Sequence, residues 1–109
     1  MSTIDFKSKR TDKVKARKLV AEIVSITPSN VSFSGHALKE LVNDGLTTVD
    51  TLNVLKSSDS RIHDEGELVN GSYRYRLQTN FIMVVIAFWP NGKGLNVVTV
   101  WDKRKKGRN

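Results

Sequence analysis

The segment Phe81–Trp89 constrains the fold more than any other part of the chain, because all nine of its residues are apolar. It is too short to span a membrane as a helix, which requires about 20 apolar residues. An apolar run of this length is typical of a strand that is covered on both faces. We therefore expect Phe81–Trp89 to form the central strand of a sheet. We also expect the protein not to associate with a membrane.

Upstream of this strand, apolar residues recur with the period of an α-helix. The first helix is expected to begin after Thr11, which can cap it. A second helix is expected between Ser34, another cap residue, and Gly45, which suits the left-handed conformation at a helix end. Thr47 and Asp50 have the spacing of a capping box and predict the start of a third helix.

From residue 61 onward the hydrophobic period changes to two, which is typical of strands. Arg61–Glu65 is expected to be a short strand, and Ser72–Gln78 alternates aromatic or apolar residues with cationic or polar ones. Leu95–Trp101 is expected to be the last strand, with Leu95, Val97, Thr99 and Trp101 on one face. The order of elements predicts an α+β fold, with two to three N-terminal helices on one face of an antiparallel sheet of three to four strands.

Positive charge is concentrated at the two ends of the chain, whose net charge is +7. Residues 1–18 contain seven basic and two acidic residues, giving +5, and residues 102–109 contain five and one, giving +4. The body between them has six basic and eight acidic residues, giving −2. We expect a single domain over residues 1–109, with flexible basic ends at 1–10 and 103–109. Such ends attract nucleic acid or an acidic protein, although solubility alone is the alternative.

Several classes of chemistry are excluded by what the sequence lacks. The absence of cysteine excludes disulfides, thiolate metal sites and thiol catalysis. No glycine-rich phosphate loop or H-E-x-x-H motif occurs, and the two histidines lack nearby carboxylates in ligand spacing. We therefore expect neither a metal nor another cofactor. The basic segment Met1–Arg10 lacks the hydrophobic stretch of a secretory signal, so the expected location is the cytoplasm.

Two arginines and two histidines are the candidate catalytic residues. Arg74 and Arg76 alternate along one strand, so both point to one face and could bind phosphate oxygens. His36 follows the helix cap Ser34, where the helix N-terminus favours a neutral imidazole that can act as a general base. His63, on the first predicted strand, is a second acid–base candidate. Ordinary surface or structural roles are the alternative for all four.

Further residues are candidate contacts to RNA. Basic side chains would contact phosphates without reading the base sequence, and a tryptophan at the end of the last strand could stack on a base. The candidates are Lys13, Arg17, Thr99, Trp101, Lys103, Arg104 and Lys105.

The sequence Ser34-Gly35-His36-Ala37 at a helix start, followed by Gly45-Leu46-Thr47, resembles the signature S-x-H-A-x-x-R-x-x-x-R-G-I-[ST] of a family of small bacterial domains. The strands at Ser72–Gln78, Phe81–Phe88 and Val97–Trp101 match that family as well, so the similarity covers residues 33–101. The family resembles a branch of the RelE-type toxin superfamily, which includes the MqsR and BrnT toxins.

The resemblance implies a RelE-like fold and a metal-independent endoribonuclease that cleaves messenger RNA by 2′-hydroxyl transesterification. It also implies a toxin–antitoxin pair in which an antitoxin covers the active face, and it makes the ribosome a further candidate partner. The corresponding residues would be His36, Arg74, Arg76, Thr99 and Trp101.

The chain departs from the signature at Glu40 and Asp44, which occupy the two positions where the signature has arginines inside the helix. A non-catalytic module that binds nucleic acid or protein through the basic ends and the arginine face is therefore the alternative function.

Overall fold

A computed structural model of the chain describes residues 5–7, 9–57 and 60–104, and for residues 63–66 it describes the backbone only. Within these residues the fold is α+β, with three α-helices, a single 3₁₀ turn at Pro28–Asn30 and one mixed sheet. The elements are α1 (Lys13–Ile26), β1 (Val31–Phe33), α2 (Gly35–Asp44), α3 (Thr48–Lys56), β2 (Arg61–Val69), β3 (Ser72–Gln78), β4 (Ile82–Phe88) and β5 (Leu95–Asp102).

The sheet has five described strands in the order β1-β5-β4-β3-β2, so β4 is central as the sequence predicts. Residues 83–88 of this strand are all buried. The expectation of a purely antiparallel sheet of three to four strands is wrong, because β1 pairs with β5 in parallel. β1 has three residues, which is too few for an alternating pattern to be recognised in the sequence.

The helix caps agree with the sequence at two of three positions. Ser34 caps α2 and Thr47 caps α3, the latter in a complete capping box. The cap of α1 is Asp12 rather than Thr11, since the Asp12 carboxylate accepts a backbone N–H of the first turn at 3.0 Å. The backbone N–H of Thr11 instead donates to the phenol oxygen of Tyr75 at 2.7 Å.

A single hydrophobic core lies between the helices and one face of the sheet, and helix and sheet residues contribute to it about equally. Its fully buried side chains include Val20, Val24, Leu55, Tyr75, Leu77, Val84, Ile86, Leu95, Val97 and Val100.

A β-bulge changes which residues of β5 enter this core. Val85 lies opposite Thr99, whereas the next residue of β4, Ile86, lies opposite Val97, so Val98 is the extra residue. An inserted residue reverses the faces of everything beyond it. The predicted strict alternation along Leu95–Trp101 is therefore wrong in its second half, where Val100 is buried in place of Thr99.

The outer edge of β5 is covered along its length by β1 and then by α2. The hydroxyl of Ser34 donates to the carbonyl of Val98 at 2.7 Å, and the carboxylate of Asp44 accepts the backbone N–H of Asp102 at 2.8 Å. Asp44 is only 7% exposed. One of the two departures from the signature is therefore a buried residue that accepts a backbone N–H at the end of β5, beyond the three residues that pair with β1.

The N-terminal segment around Phe6 packs against the body of the domain. The backbone N–H of Phe6 donates to the carbonyl of Pro90 at 3.0 Å, and the carbonyl of Lys7 accepts the backbone N–H of Tyr73 at 2.8 Å. The Phe6 ring meets Phe88 edge-on, with centroids 6.4 Å apart. This segment thus connects the start of β3 to the loop between β4 and β5.

We expect Asp44→Ala to lower the free energy of unfolding by about 1–3 kcal/mol, because it leaves a buried backbone N–H without its acceptor. Urea denaturation measures the change. Asn43→Ala, at the exposed neighbouring position of the same helix, is the control and is expected to change stability by less than about 0.5 kcal/mol. Equal effects of the two substitutions would contradict the assigned role of Asp44.

Candidate nucleic-acid interface

The sheet face that points away from the core is formed by alternate residues of β3, β4 and β5, and we call it the open face. Its residues are aligned in two rows across the strands. The first row joins Arg76, Val85 and Thr99, and the second joins Gln78, Met83 and Trp101. Arg74 continues the β3 side of the face, since alternate strand residues share a face.

The bulge in β5 brings two predicted RNA contacts to the open face. Thr99 and Trp101 would lie on the core side if β5 alternated strictly from Leu95, but the inserted Val98 reverses them. Both are half-buried, and β4 lies between them and the arginine-bearing strand β3. The structure therefore brings together four of the predicted site residues: Arg74, Arg76, Thr99 and Trp101.

The middle of the open face is apolar. Met83, Val85 and Ala87 are 8%, 7% and 9% exposed, although they lie on the side opposite the core cluster. Longer side chains in the neighbouring strands flank them, with Arg76 beside Val85. The result is an apolar floor between a cationic border on β3 and a polar, aromatic border on β5.

Arg76 forms an ion pair with Glu67 on the neighbouring strand β2, at 3.2 Å. The two side chains are 43% and 61% exposed, so water screens their attraction. Such exposed pairs contribute at most about 1 kcal/mol to stability. The pair orients Arg76 at the β2 side of the open face at low energetic cost.

Arg74 is half-buried and lacks a polar partner. Its Nε is buried without a hydrogen-bond partner, and its guanidinium makes no hydrogen bond or ion pair to any described residue. A buried donor in this state costs about 1–3 kcal/mol. An anion beside the guanidinium, such as a phosphate oxygen, would offset that cost through its charge.

Lys103 extends the positive charge beyond the end of β5. Its ammonium group donates to the amide oxygen of Gln78 on the open face at 2.8 Å. Arg104 is engaged elsewhere, since it forms two hydrogen bonds of 2.9 and 3.0 Å to the carboxylate of Asp102 and lies 4.7 Å above the ring of Phe81. The hydrogen bonds and charge of Asp102 raise the pKa of Arg104 above its ordinary value. Lys103 is therefore the better placed of the two for an RNA contact.

The two histidines occupy different positions relative to the arginines. His36 is exposed in the first turn of α2, which packs beside β5, so β5 and β4 lie between its helix and β3. The backbone of His63 lies on β2, directly beside β3. Its neighbour Asp64 is in backbone register with Arg76 of β3. The predicted grouping of His36 with the arginines is not formed, whereas His63 lies on the adjacent strand.

The remaining predicted contacts do not join the open face. Lys13 and Arg17 lie on α1, on the helical side of the sheet. Lys105 lies outside the described residues, and for His63 only the backbone is described.

The sequence pattern places Gln78 on the arginine face of β3, as the structure does, but it does not single out Asn96 as part of the site. Asn96 pairs in register with Ala87, and its side-chain oxygen accepts a hydrogen bond from Ser32 at 3.2 Å. The position of Asn96 depends on β1, which the sequence pattern does not reveal.

Within the described part of the chain, no group of three or more His, Asp or Glu side chains could hold a metal ion. No described helix combines the length and apolar character required to cross a membrane.

The chain matches no protein-family model, no curated protein and no solved structure. Its similarity to RelE-type toxins therefore stays a prediction from short motifs.

We expect Arg74→Met to raise the free energy of unfolding by about 1 kcal/mol, because it removes an unsatisfied buried donor and keeps the aliphatic packing. The comparison variant Arg76→Met removes an exposed ion pair and should lower stability by at most about 1 kcal/mol. Urea denaturation of both variants measures the two changes in the free energy of unfolding, which should have opposite signs. A clear loss of stability in Arg74→Met would show that Arg74 has a structural partner.

Proposed function

We propose that this protein binds single-stranded RNA on its open face. Arg74, Arg76 and Lys103 contact phosphates, and Trp101 stacks on a base. The observation that carries the proposal is the half-buried guanidinium of Arg74, which has no polar partner although it borders a solvent-facing surface. An RNA ligand is compatible with the expected cytoplasmic location.

The composition of the open face favours single strands over duplexes. Met83, Val85 and Ala87 are nearly buried beneath the side chains of β3 and β5, so the half-buried ring of Trp101 is the group on this face that can stack on a base. Bases are exposed in this way only in single strands, loops and bulges, where proteins recognise them by stacking and backbone contacts. Arg74 and Arg76 are about 7 Å apart along β3, so both can contact one stretch of RNA backbone.

Binding of a fluorescein-labelled 12-nucleotide RNA, followed by fluorescence anisotropy, tests the proposal. We expect the double variant Arg74→Gln/Arg76→Gln to bind at least about tenfold more weakly, because two phosphate contacts are lost. The logarithm of the affinity should fall by about 0.7 per contact per log unit of salt, so the salt dependence should weaken as well.

The matched control is Lys39→Gln/Lys93→Gln, which removes the same charge from exposed positions away from the open face. It should bind within about twofold of the unchanged protein, since distant charges are screened by salt. Equal losses in both double variants would show that net charge, and not the open face, provides the affinity.

A second candidate function is RNA cleavage without a metal ion, as the resemblance to RelE-type toxins implies. The position of the His63 backbone, one strand away from Arg76, favours it. His63 would take the proton from a ribose 2′-hydroxyl, whose oxygen attacks the adjacent phosphate and forms a 2′,3′-cyclic phosphate as the 5′-oxygen leaves. The arginines would stabilise the charged transition state. In this function an antitoxin would cover the open face, and the fold would be a RelE-like variant with an added parallel strand.

Incubating end-labelled RNA with the protein in EDTA tests cleavage separately from binding. We expect products ending in a cyclic phosphate, and a rate about 10²–10⁴-fold lower in His63→Ala, because a positioned acid–base group contributes that much. His36→Ala serves as the control and should retain the full rate. Intact RNA with the unchanged protein would exclude cleavage while leaving RNA binding in place, and loss of cleavage in His36→Ala alone would identify His36 as the base.

A further inference from the structure

A second basic surface lies on the helical side of the sheet, where α1 passes the start of β2. It is a groove of about 590 Å³, which we call the α1–β2 groove. Four cationic residues line it, namely Lys13, Arg17, Lys18 and Arg61. Among the residues that the structure describes, no acidic one lines the groove.

Arg17 shows that the positive charge of the groove is incompletely balanced. Its Nη2 donates to the carbonyl of Ser57 at 2.5 Å, and its Nε donates to the carbonyl of Ser60 at 3.4 Å. Its Nη1 is buried without a hydrogen-bond partner, and no described carboxylate pairs with the guanidinium. Burial lowers the pKa of Arg17, which reflects the cost of holding this charge away from water. An anion in the groove would reduce that cost.

The floor of the α1–β2 groove is apolar, which distinguishes it from a simple phosphate site. Val14 and Ile62 line it, and Val14 is 72% exposed. A phosphate group gains nothing from apolar contacts, whereas a peptide with apolar side chains buries them there at a gain of roughly 25 cal/mol per Å².

The groove lies on the helical face of the sheet, where Arg61 and Ile62 of β2 line it. A segment bound in the groove therefore lies over β2 and not in the plane of the sheet.

We propose that the α1–β2 groove binds an extended acidic segment of a partner protein, in which carboxylates alternate with apolar side chains. The carboxylates pair with Lys13, Lys18 and Arg61 and balance the charge of Arg17. The apolar side chains cover Val14 and Ile62 between these cationic groups. This ligand occupies the layer opposite the RNA-binding face, so the two sites are separate.

The test uses a fluorescein-labelled ten-residue peptide of alternating glutamate and valine, with anisotropy as the readout and the full chain as receptor. We expect Lys13→Glu/Lys18→Glu to bind it at least about tenfold more weakly. Both lysines are exposed, so the fold should be retained, and urea denaturation checks this. The control Lys39→Glu/Lys93→Glu makes the same charge change outside the groove and should bind within about twofold of the unchanged protein.

Altered peptides separate the charge requirement from the apolar one. A lysine–valine peptide should not bind measurably, and a glutamate–serine peptide should bind at least about tenfold more weakly than the glutamate–valine peptide. Equal binding of the glutamate–serine and glutamate–valine peptides would overturn the role of the apolar floor. Equal losses in the groove variant and the control would overturn the site itself.

Substitutions that remove one binding site should leave the other intact, so the two proposals can be tested separately. Arg74→Gln/Arg76→Gln should keep full peptide affinity, and the 12-nucleotide RNA should not displace the peptide. If RNA displaces the peptide and the groove variant loses RNA binding while Arg74→Gln/Arg76→Gln keeps it, the groove holds an RNA backbone and the peptide proposal is wrong.

Discussion

The burial of β4 on both faces is the constraint on which the rest of the structure depends. One face contributes Val84, Ile86 and Phe88 to the core beneath the helices, and the other contributes Met83, Val85 and Ala87 to the floor of the open face. A strand that is apolar on both sides needs a cover on each. Helices provide it on one side, while the long side chains of β3 and β5 provide it on the other, and this second cover carries the candidate function.

Local signals in the sequence were sufficient for the parts of the fold that depend on neighbouring residues. The central strand, the caps at Ser34 and Thr47, and the arginine face of β3 all follow from periodicity and capping chemistry. β1 could not be predicted, because its three residues pair with β5, which lies 64 positions later in the chain. The bulge at Val98 could not be predicted either, because it depends on the register between β4 and β5 and not on a local pattern. The candidate site depended on these strand pairings, so His36 was grouped with the arginines although β4 and β5 lie between them.

Two arginines hold unsatisfied buried donors, one on each side of the sheet. Arg74 borders the open face and Arg17 borders the α1–β2 groove. Each imposes a cost of about 1–3 kcal/mol, a large fraction of the 5–15 kcal/mol by which domains are stable. Nη1 of Arg17 and Nε of Arg74 form no hydrogen bond that would offset these costs. Both atoms lie beside the two surfaces that we propose as binding sites, where an anionic ligand would reduce these costs.

The long-range pairing of the N-terminal elements has a consequence for how the protein is made. Phe6 and β1 find their partners in Pro90 and β5, which are synthesised 84 and 64 residues later. While these residues are being added, the apolar faces of α1 and α3 have no complete sheet to cover them. The domain can therefore complete its core only after β5 has left the ribosome, and until then its helices are exposed to chaperones and to aggregation.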